Sequence, residues 1–109
     1  MRVDALINKV EIKKFAAFDP KTGAPDPGYI LQAVVTDMDT NESIQCSFNQ
    51  GFGLENMRQA RKDKAPEADR DALAQQIEAA GKQLEGQRVQ LVIGKARAKG
   101  FVTFPIISM

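Results

Sequence analysis

Histidine and tryptophan are absent from this 109-residue sequence, and cysteine occurs once, as Cys46. Without histidine the chain lacks a common metal ligand and the one side chain that titrates near neutrality unaided. Most hydrolase and metalloenzyme readings lose their natural participants, and no nucleophile and base stand out as a pair. No enzyme activity, metal or cofactor is expected. A lone cysteine forms no internal disulfide and gives no ligand spacing, which fits a reducing compartment. Cys46 reads as a small buried hydrophobe on a strand. Long apolar runs are also missing: nothing approaches the ~18–20 residues that cross a bilayer. Asp4, Asn8 and Glu11 interrupt the N-terminus where a signal peptide is continuously apolar. A cytoplasmic protein without a membrane partner is the expectation. Finally, 15 Lys and Arg against 14 Asp and Glu leave a net charge of +1. No global cationic field exists, so any binding of a polyanion must rest on a local patch.

What is present has the balance of a globular protein, with 43% hydrophobic and 27% charged residues. A chain of this length buries one modest core, so residues 1–109 are expected to form a single domain. In Arg2 to Lys14, Val3, Ala5 and Ile7 share one parity, while Val10 and Ile12 take the other. A long strand with a bulge near Asn8 or Lys9 explains the switch. Phe15 to Gly28 is dense in Pro, Gly and Asp and reads as a long loop. Tyr29 to Asp37 is β-rich, with period two over Tyr29, Leu31, Ala33 and Val35. After a polar turn, Ser43 to Asn49 alternates Ile44, Cys46 and Phe48 with polar residues, which predicts a hairpin with one wet face.

Glycine punctuation at Gly51 and Gly53 precedes a stretch rich in Ala, Gln, Glu, Lys and Arg. Leu54 to Lys62 has the composition of a short helix. Leu73, Ile77, Ala80 and Leu84 lie at helical spacing, and Gly86 supplies a C-cap, so the main helix is expected over Pro66 to Glu85. Arg88 to Ile93 and Phe101 to Ile107 read as the last strands, with Pro105 placing the final one at an edge or a bulge. The expected fold is thus mostly β: a five-stranded OB-like barrel whose chain order is three strands, a helix and two strands.

Several motifs dissolve on inspection. Asp37-x-Asp39-x-Asn41 opens like a calcium loop, but Glu42 stands where that loop needs glycine and Phe48 where it needs a carboxylate. Asp19-Pro20-Lys21-Thr22-Gly23 is a turn, and Gly94-Lys95 lacks the surroundings of a phosphate loop. More informative are Lys95, Arg97 and Lys99, spaced by alanines between Gly94 and Gly100. On extended backbone these three cations share one face. Their bland alternative is edge protection, a known use of lysine. A second basic group comprises Lys9, Lys13, Lys14 and Lys21. In the barrel reading, the loop between strands one and two and the loop between strands four and five flank the face that binds oligonucleotides. Phe15, Phe18, Tyr29 and Phe101 are the candidate stacking platforms, whereas Phe48 and Phe104 read as core. The cations of Arg58 to Lys64 interleave with Glu55, Asp63, Glu67, Asp69 and Asp71 and read as a mixed-charge, solvent-facing helix.

The element order, the GKARAKG hairpin leading into Phe101-Val102-Thr103-Phe104, and the long first loop resemble the small OB-fold single-stranded DNA-binding proteins of phages and mobile elements. The resemblance implies a cytoplasmic, oligomeric protein that coats single strands during DNA replication without sequence preference. The apolar end Pro105-Ile106-Ile107-Ser108-Met109 departs from the acidic tail of many bacterial members, which puts tail-mediated recruitment in doubt.

The resulting expectation is a non-catalytic binder of single-stranded DNA, with RNA as an open possibility and no small-molecule substrate. Lys13, Lys14, Lys21, Lys95, Arg97 and Lys99 would grip phosphates, and Phe15, Phe18, Tyr29 and Phe101 would stack on bases. The alternative is a protein interaction or oligomerisation module acting through an exposed C-terminal strand edge that ends in Ile106 and Ile107.

Overall fold

The computed structural model describes residues 1–95 and 104–108, and the side chains of Ile107 and Ser108 lie outside that description. Alternation of apolar and polar residues produces five strands: β1 (Arg2–Phe15), β2 (Gly28–Asp37), β3 (Ser43–Phe48), β4 (Arg88–Ile93) and β5 (Phe104–Ser108). Between β3 and β4 lie two helices, α1 (Leu54–Lys62) and α2 (Glu67–Lys82). The strands are hydrogen-bonded in a ring, in the order β1-β2-β3-β5-β4 with β4 returning to β1. The chain is therefore mostly β, as expected, but the expected order of three strands, one helix and two strands is corrected to one with two helices. The break follows from the chain itself. Lys64 adopts a positive φ of 56°, and Pro66 disfavours helical backbone at Ala65 before it begins α2.

The parity switch in β1 is a bulge, with the β1–β2 register shifting between Ile7 and Lys9. Through it, Val3, Ala5, Ile7 and Val10 all reach the same core. That core continues through Leu31, Ala33 and Val35 of β2, Cys46 and Phe48 of β3, and Leu91, Ile93 and Ile106. Cys46 is fully buried, and burial pushes its thiol up to about 11, so it is unreactive near neutrality. Phe104 packs half-buried against the core. The Asp37–Asn41 stretch is an ordinary turn, closed by the Asn41 N–H donating to the Asp37 carbonyl at 2.7 Å.

Strand β5 lies between β3, which it meets in parallel at Cys46, Ser47 and Phe48, and β4, which it meets antiparallel. Ile106 thus has register partners on both sides, Phe48 and Ile93, and is buried. It does not stand at the exposed strand edge that the interaction-module reading needs. The register between β4 and β5 shifts at Val92/Ile93, so Pro105 sits beside a bulge and not at an edge.

Helix α2 and the turn after it cover the part of β1 that β4 leaves unpaired. β1 meets β4 only over Arg2 to Leu6, and beyond that its edge N–H groups need other acceptors. The Val10 N–H donates to the Glu85 carboxylate and the Ile12 N–H to the Glu78 carboxylate, each at 2.8 Å. Gly81 makes the approach possible, because a Cβ there would lie 2.8 Å from Val10 Cγ1. The sequence stripe Leu73, Ile77, Ala80 and Leu84 is rotated in consequence: the buried positions of α2 are Arg70, Ala74, Ile77 and Gly81. The hydrogen bond from Val10 holds the Glu85 carboxyl below its ordinary range, assisted by the Lys82 and Lys9 charges. A depressed carboxyl stabilises the fold above its unfolded value and ceases to do so as pH falls through the folded one. Glu85→Ala should therefore speed amide exchange at Val10 by roughly tenfold, and the difference from wild type should vanish well below pH 4. Equal exchange at neutral pH would show that the carboxylate does not protect this edge. No helix among the described residues is long and apolar enough to cross a membrane.

Candidate nucleic-acid interface

The inward parity of β1, β2 and β3 fills the core, so the other parity builds an outer face. In register across it lie Lys9, Val34 and Gln45, then Glu11, Gln32 and Ser47, then Lys13 with Ile30, and Phe15 with Gly28. Glu11 bridges Lys9 at 3.3 Å and Lys13 at 3.7 Å, and the Lys9 ammonium is the main cause holding its carboxyl below the ordinary range. Two ammonium groups share one carboxylate, which leaves the row cationic.

Phe15 crosses directly over Gly28, where an added Cβ would meet its ring at 2.2 Å. The glycine makes room for the ring on the strand surface, and 46% of the residue remains exposed. Phe18 is 65% exposed on the β1–β2 loop. That loop is not loose, since Phe18 and Pro25 form a bridge and Asp19 and Ala24 are hydrogen-bonded across it. Lys21 is exposed at its tip, where its backbone N–H donates to the Asp19 carboxylate at 2.8 Å.

Lys14 and Tyr29 belong to the opposite side. They are register partners on β1 and β2, and both turn to α2. The Lys14 ammonium lies 3.0 Å from the Asp71 carboxylate and 3.3 Å from that of Glu67. The Tyr29 hydroxyl donates to the same Asp71 carboxylate. The Lys14 ammonium also lies 5.9 Å from the centre of the Tyr29 ring. Burial, followed by the Asp71 hydrogen bond, raises the phenol above its usual range. Two of the expected contacts are thus engaged in fastening the hairpin to the helix, a partnership that sequence spacing gives no means of seeing.

The two loops expected to flank one face leave opposite ends of β1. Phe15 pairs with Gly28 at one end and Arg2 pairs with Val92 at the other. Lys95 is exposed beyond β4, while Arg97, Lys99 and Phe101 lie outside the described residues. The structure therefore brings Lys13, Phe15, Phe18 and Lys21 to one end and Lys95 to the other, with the outer face of β1, β2 and β3 between them. Lys9, counted in the second basic group, and Gln32 and Gln45 also lie on that face. The period-two pattern places Gln45 on the wet side of its hairpin.

No protein-family model, curated protein or solved structure matches this chain. The functional reading rests on the geometry alone. Among the described residues, no three His, Cys, Asp or Glu side chains stand where they would hold a metal ion.

A further arrangement was not legible in the sequence. Asp26, 7% exposed on the β1–β2 loop, accepts from Arg70 Nη1 at 2.7 Å and from Arg61 Nε at 3.0 Å. Arg70 itself is 6% exposed. The two guanidinium groups, Arg70 foremost, hold the Asp26 carboxyl below its ordinary range. With Lys64 reaching Asp19 at 2.8 Å, these contacts tie the β1–β2 loop to both helices and fix the position of Phe18 and Lys21.

Proposed function

We propose that this chain is a non-catalytic, sequence-independent binder of single-stranded DNA, and that its ring of strands is an OB-type barrel. The ring order and the parallel β3–β5 contact favour that reading, and such barrels bind oligonucleotides on the face of strands two and three, between the loops named above. The observation that carries it is the gathering of exposed aromatic rings and cations at one end of this face: Phe15 over Gly28, on the same strand face as Lys13, and Phe18 on the tethered loop that also bears Lys21. Unpaired bases stack on such rings irrespective of identity, and ammonium groups neutralise phosphates. Gln32 and Gln45 supply donors and acceptors between the two ends.

Titration of a labelled oligothymidine by fluorescence anisotropy tests the proposal. Affinity should fall as salt rises, with a log–log slope of about −0.7 for each phosphate neutralised. Absence of binding at low salt, or binding indifferent to salt, would overturn it.

A further inference from the structure

Helix α1 carries a feature that its sequence conceals. Four of the acids that neighbour its cations in sequence are bonded to other groups, although Glu55 stays within reach of the Arg58 charge. Glu55 accepts from the Gly51 N–H at 3.0 Å, Asp63 from the Gln59 amide at 2.9 Å, and Glu67 and Asp71 meet Lys14. Among the described residues Arg58 and Lys62 form no ion pair, although they are exposed one turn apart on the same helix face, where like charges repel. With Arg61, Lys64, Asp26 and Glu55 they line a groove of about 550 Å³. Four cations against two carboxylates leave this groove with an excess of two positive charges.

Two of those cations are held in place by the β1–β2 loop. Arg61 donates through Nε to Asp26, and Lys64 pairs with Asp19. Lys64 also sits at φ 56°, a left-handed backbone that non-glycine residues adopt at a cost. The loop residues that anchor them, Asp19 and Asp26, flank the segment bearing Lys21, and Asp19 adjoins Phe18. The groove is thus continuous with the loop end of the proposed binding face.

We infer that the Arg58–Lys62 groove is a second phosphate-binding segment, which receives the backbone of a strand leaving the sheet face past Phe18. This inference rests on the single-strand reading and extends it: short oligonucleotides occupy the sheet face, and longer ones reach α1. The ligand groups are phosphodiesters, engaged through charge without base recognition.

The test compares wild type with Arg58→Gln/Lys62→Gln and with Lys62→Gln alone, using oligothymidines of about 6 and about 24 nucleotides. Both residues are exposed and unpaired, so thermal unfolding of the variants should match wild type. For the longer strand, the double variant should lose roughly 10- to 30-fold in affinity at about 0.1 M salt and flatten the salt slope by about 1.4. Lys62→Gln alone should flatten it by about half as much. The shorter strand should bind all three proteins equally. An unchanged affinity for the longer strand, or a parallel loss for both lengths, would overturn this inference while leaving the sheet face intact. Failure of wild type to bind either strand would overturn the single-strand reading, and this inference with it.

Discussion

Replacing Asp26 by alanine should lower the thermal unfolding midpoint by roughly 10–20 °C. The carboxylate is the shared acceptor of Arg70 and Arg61 and joins the β1–β2 loop to both helices. Its loss strands the Arg70 guanidinium, which is 6% exposed and whose Nε already has no hydrogen-bond partner. A buried charge deprived of its partner destabilises far more than the pair contributes, because desolvation is no longer offset. The same logic gives a second arm. Replacing both residues, as Asp26→Leu with Arg70→Met, should recover more than half of the lost midpoint. The carboxyl is held below its ordinary range, so its contribution is fully present above pH about 4 and is lost on further acidification. The single variant should accordingly differ from wild type at neutral pH and converge with it in acid. A midpoint within a few degrees of wild type at neutral pH would show that the buried pair does not hold the loop.

The largest effect on binding is expected at the two exposed rings. Phe15→Ala and Phe18→Ala should each weaken oligothymidine binding roughly 5- to 150-fold, from about 1–3 kcal/mol per stacked base. Phe18 is 65% exposed, so its removal should leave thermal stability nearly unchanged and separate binding from folding. Tyr29→Phe supplies the contrast. It removes the hydroxyl that donates to Asp71 on the α2 side and should lower stability with little change in affinity. Anisotropy and thermal melts on the three variants check this. A Tyr29→Phe protein that binds worse than Phe18→Ala would place the binding face on the wrong side of the hairpin.

The parts of this fold that repeat at short range were legible in the sequence. Alternation located the strands, and the parity change at Asn8 and Lys9 located the bulge in β1. Glycine and Pro66 marked where α1 and α2 begin, although only one helix was counted. The parts that failed depend on partners distant in sequence. Arg70 lies on the buried face of α2 because Asp26, 44 residues earlier, meets it there. Apolar spacing, which ignores ion pairs, therefore pointed to a stripe rotated from the real one. Lys14 and Tyr29 read as binding residues until Asp71 and Glu67 are seen to engage them. Conversely, the acids around the Arg58–Lys64 segment balance it in sequence, yet in space Glu55 bonds to Gly51, Asp63 to Gln59, and Glu67 and Asp71 to Lys14. Charge interleaved along a chain does not report charge balance on a surface.

The site divides similarly. Lys13 and Phe15 lie at one end of the outer face, and Phe18 and Lys21 are exposed on the loop that continues from it. The second basic loop leaves β4 at the opposite end of β1, and its residues beyond Lys95 lie outside the described residues. A single strand spanning both would lie along that face, crossing Lys9, Gln32 and Gln45.

Amide chemical-shift mapping during titration with an oligothymidine tests that placement most directly. Shifts are expected at Lys9, Lys13, Phe15, Phe18, Gln32 and Gln45, with the core-facing Val10, Leu31 and Cys46 less affected and the α2 surface at Gln75 and Gln76 silent. Shifts confined to α2, or spread evenly over the chain, would contradict it.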